Sequence, residues 1–380
     1  MAGSANWKIV NPSGKHRVLV TKELPGNEWL DILTDAGYSV EICTSKDILS
    51  KEQIIDRIGG NCQAVIGQLT EKWGEELFAA LKRAGGLAYS NYAVGYDNVD
   101  IPAATQNGIP AGNTPGVLTE TTAEMAVALT MACARRIVEA DDFTRNGRFK
   151  GWLPDMFLGK RLWRGKVGII GAGRIGSAYA LMMIKAFQMD LIYFSNKKNL
   201  ALERDIEAYN EYLQKTGSQP VSLSNASSVD EVLKGADIVA LHVPLTKETH
   251  HLISKEELLT MKPDAILINT SRGPVIDEAA LVEHCKAYPE FTAGLDVFEK
   301  EPVICEDLKK LPNVTLAPHI ASATRWTREN MAKLAALNIK GVIEGYPGWD
   351  GHIDPFFKPV PPKAIPSILN PSILPSDTHL

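Results

Sequence analysis

Two series of short apolar runs, each alternating with amphipathic stretches, extend through most of the sequence. Strands that alternate with helices of about 10–15 residues predict parallel β-sheets with helices covering both faces. The first series ends near residue 113, and the second begins at residue 166. The apolar runs that indicate strands occupy residues 16–22, 38–43, 64–68, 86–91, 108–113, 166–173, 191–196, 236–244, 265–271, 292–298 and 314–319.

Two long helix candidates, residues 120–147 and 323–345, lie at the borders of the second series. A chain of 380 residues is long enough for two or three domains. We therefore expect one α/β unit to be inserted into another, with a cleft where the two face each other. From Pro347 onward the sequence carries eight of its 22 prolines, so this tail is expected to form little regular structure and to wrap the surface or stay mobile.

Charge and composition exclude several classes of protein. Forty Lys and Arg against 45 Asp and Glu give a net charge of −5, whereas nucleic-acid-binding domains usually carry a basic excess. No apolar stretch approaches the ~20 residues of a membrane span, so no membrane partner is expected. The five cysteines lie far apart, which indicates neither a disulfide framework nor a metal site.

The compartment is predicted from the same features. Scattered cysteines and the lack of a signal-peptide core favour a reducing compartment, and we expect the cytoplasm. The last three residues, Thr378, His379 and Leu380, match the S-K-L peroxisomal signal only in the final leucine. The peroxisome is therefore the alternative.

Gly171, Gly173 and Gly176 form a G-x-G-x-x-G motif between an apolar run and a stretch of helical character. In this context the first glycine permits a tight turn, and the second lets the backbone approach a pyrophosphate. The third lets the helix pack closely on the strand, with its amide-rich start facing the phosphates. The motif predicts a dinucleotide site, and the alternative is a glycine-rich turn without a ligand.

The polar turn after the next apolar run bears on the choice of dinucleotide. An acid about 20 residues after the motif would accept hydrogen bonds from the adenosine ribose and repel a 2′-phosphate. This chain has instead Ser195, Asn196, Lys197 and Lys198, which supply donors and positive charge. We expect NADP(H) to be preferred, with NAD(H) possible; the alternative is a solvated turn with incidental lysines.

Arg272, Glu301 and His319 each follow an apolar run of the second series. The carboxyl ends of parallel strands meet at one edge of a sheet, where open α/β sheets bind their ligands. Each residue also has a structural alternative: an ion pair for Arg272, a solvated acidic stretch for Glu301 and a packed core position for His319. Together, beside a dinucleotide motif, they favour a catalytic site.

Seven segments, dense between about residues 90 and 325, carry a family resemblance. They are VGYDNVD (94–100), GNTPGVLTETTAE (112–124), VGIIGAGRIGSAYA (167–180), LHVPLT (241–246), INTSRGPVIDEAAL (268–281), GLDVFEKEP (294–302) and PHIASAT (318–324). The chain resembles the D-isomer-specific 2-hydroxyacid dehydrogenases, and within them the plant-type hydroxypyruvate/glyoxylate reductases. Many relatives carry an acid where Ser195 stands, so their preference for NAD is not transferred to this chain.

The resemblance implies a fold. A Rossmann-type nucleotide domain, residues 120–324, would be inserted into a flavodoxin-like substrate domain built from residues 1–119 and 325–380. Both would be doubly wound α/β domains with parallel sheets. In the family the long helix at 120–147 forms a dimer interface, so a homodimer is expected.

The resemblance also implies roles for residues. Arg272 would bind the substrate carboxylate and carbonyl, His319 would donate a proton to the carbonyl oxygen, and Glu301 would hydrogen-bond the other ring nitrogen. The backbone amides that would bind the substrate carboxylate are those near Ala93, Val94 and Gly95. The cofactor-binding residues would be Thr122, Gly171, Gly173, Arg174, Ile175, Gly176, Ser195, Asn196, Lys197, Lys198, Thr270, Arg272, Asp296, His319 and Ala321.

The predicted activity is reduction of hydroxypyruvate or glyoxylate to D-glycerate or glycolate by hydride transfer, with NADPH preferred. One alternative is a dehydrogenase for another D-2-hydroxyacid. A second is a corepressor-like binding protein that senses NAD(P) and keeps the same fold and site. The expected partner is a small 2-oxoacid or 2-hydroxyacid, and no nucleic acid.

Overall fold

The computed structural model describes residues 6–374, which divide into two compact units. The first unit takes the chain up to Leu118 and from Ala323 onward, and the second is Thr119–Ser322. The C-terminal tripeptide at residues 378–380 lies outside the described residues. Each unit is an α/β structure with its own sheet and its own hydrophobic core.

Strands and helices alternate along most of the described chain. The strands are β1 Trp7–Val10, β2 Arg17–Val20, β3 Ser39–Cys43, β4 Ala64–Gly67, β5 Ala88–Asn91, β6 Ala111–Gly112, β7 Lys166–Ile170, β8 Asp190–Phe194, β9 Leu223–Asn225, β10 Ile238–Leu241, β11 Ile266–Asn269, β12 Thr292–Leu295 and β13 Val314–Leu316. The helices are α1 Glu28–Asp35, α2 Lys51–Ile58, α3 Glu75–Arg83, α4 Ile101–Gln106, α5 Thr119–Ala134, α6 Ile137–Arg145, α7 Arg174–Phe187, α8 Leu200–Lys215, α9 Val229–Gly235, α10 Lys255–Thr260, α11 Glu278–Ala287 and α12 Arg325–Ile343.

The sheet of the first unit has the order β1-β3-β2-β4-β5-β6. Strands β2 to β6 are parallel, which confirms the predicted arrangement in the flavodoxin-like order. The edge strand β1 departs from the prediction, because it pairs antiparallel with β3, with Trp7 opposite Cys43. This sheet is therefore mixed.

The sheet of the second unit has the order β13-β12-β11-β10-β7-β8-β9, and all its strands are parallel. The order reverses between β10 and β7, which is the switch point of a Rossmann-type sheet. Every side chain of β10 is buried, as expected for a strand with helices on both faces. The edge strand β9 lies in the polar stretch 197–228, outside the apolar runs that predicted strands.

The prediction of one long helix over residues 120–147 is wrong in one respect, because the structure has two helices there, α5 and α6. Arg136 adopts a left-handed backbone with φ of 51°, and its guanidinium binds Glu139 at 2.8 Å. The carbonyl of Ala134 accepts a hydrogen bond of 2.8 Å from the amide of Lys160, a group far along the chain. The break is thus stabilised by a non-local contact that the helical pattern of the sequence does not reveal.

The proline-rich tail packs on the first unit as far as it is described. It forms little regular structure, with short 3₁₀ turns at Asp354–Phe357 and Pro371–Ile373. Phe356 and Ile365 are buried, and the amide of Leu369 donates to the carbonyl of Ala111 in the edge strand β6 at 2.7 Å. The tail therefore covers the open edge of the first sheet.

Candidate active site

The three predicted catalytic residues follow neighbouring strands of the second sheet. Arg272 comes three residues after β11, Glu301 lies in the loop after β12, and His319 comes three residues after β13. These strands are adjacent in the order β13-β12-β11 and run parallel, so their carboxyl ends form one edge.

His319 and Glu301 form a direct pair. The Nδ1 atom of His319 lies 2.8 Å from Oε2 of Glu301, and the other carboxylate oxygen accepts a hydrogen bond of 3.0 Å from the amide of Phe298. Burial acts to raise the pKa of Glu301, but the bond and charge of His319, the Phe298 amide and the charge of Arg272 outweigh it. The pKa of Glu301 is therefore lowered, and the carboxylate stays ionised beside the imidazole.

The backbone of His319 is held in an unusual conformation. Its φ is 54°, in the left-handed region that costs a non-glycine residue about 1 kcal/mol or more. The fully buried Asp296 holds this turn, because its carboxylate accepts bonds of 2.8 Å from the amides of Ile320 and Ala321. Burial outweighs these hydrogen bonds and raises the pKa of Asp296. Ala321, predicted to be a cofactor-binding residue, thus has its amide bonded to Asp296.

The loop of Arg272 packs tightly against the loop that leads to Glu301. A Cβ atom on Gly273 would lie 1.9 Å from the carbonyl carbon and oxygen of Phe298, so only glycine fits there. Within the Arg272 loop, Asn269 donates to the carbonyl of Arg272 at 2.9 Å. The structure therefore brings Arg272, Glu301 and His319 to one edge of the sheet.

The glycine motif connects β7 to α7. Gly171 has φ of 96°, and a Cβ there would lie 2.6 Å from the carbonyl oxygen of His242. A Cβ on Gly176 would lie 2.2 Å from the carbonyl oxygen of Gly171, which explains the close approach of helix and strand. Gly173 has no atom within 4 Å of an added Cβ, so open space lies in front of the helix start. This cradle fits a pyrophosphate.

The turn after β8 holds the four residues predicted to select the cofactor. Lys198 is paired with Glu203 at 2.9 Å, whereas Lys197 has no ion-pair partner within residues 6–374. Glu203, which was not among the predicted residues, also accepts a hydrogen bond of 2.8 Å from the hydroxyl of Tyr193. Burial acts to raise the pKa of Glu203, but Lys198 and Tyr193 outweigh it, so this pKa is lowered. The sequence signal that could have pointed to Glu203 is an acidic residue in the first turn of a helix, close to the lysines that precede it.

The remaining predicted cofactor residues lie at several points of the second unit. Thr122 is buried in the first turn of α5, and Arg174 and Ile175 begin α7. Thr270 directly follows β11, and its buried hydroxyl has no hydrogen-bond partner within the described part of the chain.

The predicted substrate-binding backbone lies in the first unit, in the loop after β5. The amide of Ala93 donates to the carbonyl of Asn91 at 2.8 Å, so this amide is used within the loop. The amides of Val94 and Gly95 have no hydrogen-bond partner within residues 6–374. The loop therefore offers two free amide donors, rather than the three that the sequence suggested.

A pocket of about 770 Å³ lies elsewhere in the second unit. Its lining includes Ile266, Thr292 and Asn313, at the amino-terminal ends of β11 to β13, so it opens away from the predicted catalytic residues. Among residues 6–374 no cluster of metal-binding side chains and no helix able to span a membrane is found.

Comparison with known proteins agrees with this arrangement. A family model described as D-isomer specific 2-hydroxyacid dehydrogenase, NAD binding domain, matches residues 127–321. The Arabidopsis thaliana protein named glycerate dehydrogenase HPR, peroxisomal, is 55% identical over 379 residues, which cover 98% of each chain. The glyoxylate reductase of Thermococcus litoralis is 43% identical over 335 residues, which cover 87% of this chain and 95% of the relative.

Solved structures show the same similarity. A protein from Thermus thermophilus superposes with a TM-score of 0.78 at 36% identity, over 93% of this chain and 99% of its own. The NADPH-dependent glyoxylate/hydroxypyruvate reductase of Sinorhizobium meliloti, in complex with NADP and malonate, gives a TM-score of 0.71 at 28% identity. This match covers 87% of this chain and 95% of that structure. The chain therefore belongs to the family of D-isomer-specific 2-hydroxyacid dehydrogenases and carries the family's NAD-binding domain.

Proposed function

We propose that this enzyme reduces hydroxypyruvate and glyoxylate to D-glycerate and glycolate, with NADPH as the preferred cofactor. The observation that carries the proposal is the 2.8 Å contact between His319 and Glu301, at the sheet edge that also bears Arg272. The names of the plant, archaeal and bacterial relatives support the choice of substrates.

His319 acts as the general acid. Its Nδ1 faces Glu301, which leaves Nε2 to donate a proton to the carbonyl oxygen of the substrate. The cofactor, when bound, supplies the hydride to the carbonyl carbon. Glu301 orients the ring through its contact with Nδ1. The carbonyl thus gains one hydride and one proton and becomes a hydroxyl group.

Substrate binding is assigned to two kinds of donor. Arg272 presents a planar guanidinium, which can bind the carboxylate and the carbonyl oxygen of a 2-oxoacid together. The free amides of Val94 and Gly95 add donors of the kind that backbone loops supply to carboxylates.

The preference for NADPH rests on the turn after β8. Ser195 stands where an acid would repel a 2′-phosphate, and Lys197 offers a positive charge that no described carboxylate neutralises. Lys198 contributes less, because Glu203 already pairs with it.

Steady-state kinetics with both cofactors tests the proposal. Absorbance at 340 nm is followed with hydroxypyruvate, glyoxylate and pyruvate, each with NADPH and with NADH. We expect turnover of the first two, with a higher kcat/KM for NADPH. Turnover of pyruvate alone would favour a dehydrogenase for another D-2-hydroxyacid, and no turnover at all would favour the nucleotide-sensing binding protein.

A homodimer is part of the proposal. α6 has no buried residue, and large apolar side chains are exposed around it, with Trp152 80% exposed. A second copy covering this surface would remove that area from water. The exposed apolar residues are Ile137, Val138, Phe149, Trp152, Leu153 and Leu158. Light scattering should give twice the monomer mass, and Trp152→Asp should shift the enzyme toward monomer; a monomeric wild type would contradict it.

The compartment stays a prediction. The cytoplasm is expected, and the Arabidopsis relative is named peroxisomal, which supports the alternative. Imaging of the protein with an N-terminal fluorescent tag, beside a peroxisomal marker, distinguishes the two.

A further inference from the structure

A chain of hydrogen bonds links the C-terminal tail to the loop after β5. Asn113 donates from Nδ2 to the carbonyl of Val94 at 2.8 Å, and its Oδ1 accepts from the hydroxyl of Ser367 at 2.6 Å. The amide of Ser367 donates to Asn338 at 3.0 Å, and Asn338 is itself buried. The Asn113 side chain therefore connects the tail to the loop after β5, which offers the free amides of Val94 and Gly95.

The bond to Val94 controls the direction of an amide. The carbonyl of Val94 and the N–H of Gly95 belong to the same peptide plane and point in opposite directions. When Asn113 holds the carbonyl on one side, the N–H of Gly95 is directed to the other. Asn91 holds the next carbonyl, that of Gly95, at 3.0 Å. The Val94–Gly95 peptide is therefore held at its own carbonyl, that of Val94, and at the next carbonyl along the chain, that of Gly95.

Ser367 fixes the orientation of the Asn113 side chain. An amide group can turn over, which would place its oxygen against the carbonyl oxygen of Val94. The hydroxyl donor at Ser367 favours the orientation in which the oxygen faces the tail and Nδ2 faces Val94. Asn113 is only 4% exposed, so water cannot readily replace this donor.

The tail itself is firmly placed. Asn370 accepts a hydrogen bond of 2.8 Å from the amide of Ala111 and donates to the carbonyl of Ile109 at 3.1 Å. A Cβ on Gly112 would lie 2.8 Å from the carbonyl oxygen of Ser367, so tail and edge strand are in close contact. Ser367 therefore has little freedom to move away from Asn113.

We propose that Ser367 is a positioning residue for substrate binding. It orients Asn113, which holds the Val94–Gly95 peptide with its N–H directed toward the substrate carboxylate. The inference rests on the proposed function, because it takes these amides as part of the carboxylate site. Its effect is on the 2-oxoacid, and the dinucleotide site in the second unit is not involved.

The test compares Ser367→Ala with Ser367→Thr, which keeps the hydroxyl, and with Ser372→Ala at an exposed serine of the same tail. Loss of one hydrogen bond should raise KM for hydroxypyruvate about 3- to 10-fold and leave the Kd of NADPH unchanged. The threonine variant should recover a KM near that of the wild type. Of these three variants, only Ser367→Ala should show faster hydrogen–deuterium exchange of residues 92–97.

A second variant guards against misfolding of the first. Asn113→Asp keeps an acceptor for Ser367 but loses the donor to Val94, so its KM must rise as well. An unchanged KM in a folded Ser367→Ala or Asn113→Asp enzyme would overturn the inference. An equal loss of NADPH affinity would do the same, because it would indicate a general structural role. A wild type without activity on any 2-oxoacid would instead overturn the proposed function, and this inference with it.

Discussion

Lys198 and Glu203 form an ion pair of 2.9 Å at the turn that follows β8. Because the ammonium group is shared with a carboxylate, it presents less positive charge to a cofactor than the sequence suggests. The hydroxyl of Tyr193 donates to the same carboxylate, which holds it in place. Within residues 6–374, this turn therefore contains one lysine without an ion-pair partner, Lys197, and one paired lysine, Lys198.

Replacing Glu203 by glutamine should strengthen NADPH binding. The amide still accepts the hydrogen bond from Tyr193, but it no longer neutralises Lys198. We expect KM for NADPH to fall about 2- to 5-fold, the scale of an exposed ion pair, with little change for NADH. Glu207→Gln, an exposed position one turn along α8, is the matched control. A similar change for both cofactors would contradict the assignment of this turn.

Restoring an acid at position 195 should move the preference toward NADH. We expect Ser195→Asp, combined with Lys197→Ala and Lys198→Ala, to lower kcat/KM for NADPH relative to NADH by about 10- to 100-fold. The carboxylate repels a 2′-phosphate and accepts from ribose hydroxyls, and charge-assisted bonds of this kind contribute about 1.5–3 kcal/mol. Lys358→Ala, at an exposed lysine of the first unit, controls for loss of surface charge. A constant ratio would be incompatible with the proposed cofactor preference.

Glu301→Gln should lower kcat and remove the dependence of activity on the charge of Glu301 at acid pH. The lowered pKa of Glu301 means that the carboxylate is ionised at neutral pH and loses its charge only as the pH falls through that lowered value. The neutral amide can still contact the ring of His319, but it does not titrate. The part of the acid limb that Glu301 causes should therefore disappear, with kcat reduced about 10- to 100-fold.

The control for that variant is Glu306→Gln, the same chemical change at an exposed site in the second unit. Profiles of kcat against pH are measured for all three enzymes. An acid limb of the same shape in Glu301→Gln and in the wild type would remove Glu301 from the mechanism.

Gly273→Ala should destabilise the second unit and impair catalysis together. The added methyl group would overlap the carbonyl of Phe298, so the Arg272 loop must move away from the loop of Glu301. Overpacking of this kind costs about 1–3 kcal/mol and should lower the melting temperature by about 2–10 °C. Gly60→Ala, where an added Cβ meets nothing within 4 Å, should be close to neutral. A normal melting temperature and kcat/KM would show that the two loops are not coupled.

The sequence predicts eleven of the thirteen described strands, all except the edge strands β1 and β9, and the edge at which the candidate catalytic groups meet. Hydrophobic periodicity and the glycine motif are local signals, and the parallel topology then brings distant residues together. For this reason the sequence alone predicts Arg272 and His319 as catalytic candidates, although they lie far apart along the chain.

The features that the sequence does not reveal depend on contacts between distant segments. The break between α5 and α6 needs the amide of Lys160, and the orientation of Asn113 needs Ser367, 254 positions further on. The pairing of Lys198 depends on where the helix after it begins. Local sequence propensity carries no information about such partners, because these segments come into contact only when the chain has folded.

The first unit is built from two segments, one before and one after the second unit, whereas the second unit is continuous. On the ribosome, the strands β1 to β6 emerge before the whole second unit, and α12 and the segment that covers β6 follow that unit, so the sheet lacks part of its helical layer and the cover of its edge strand until then. The nucleotide-binding unit has its whole sequence available earlier, and domains generally fold as units in the order of synthesis. The second unit can therefore reach its native state before the C-terminal segment of the first unit, from Ala323 onward, has been synthesised.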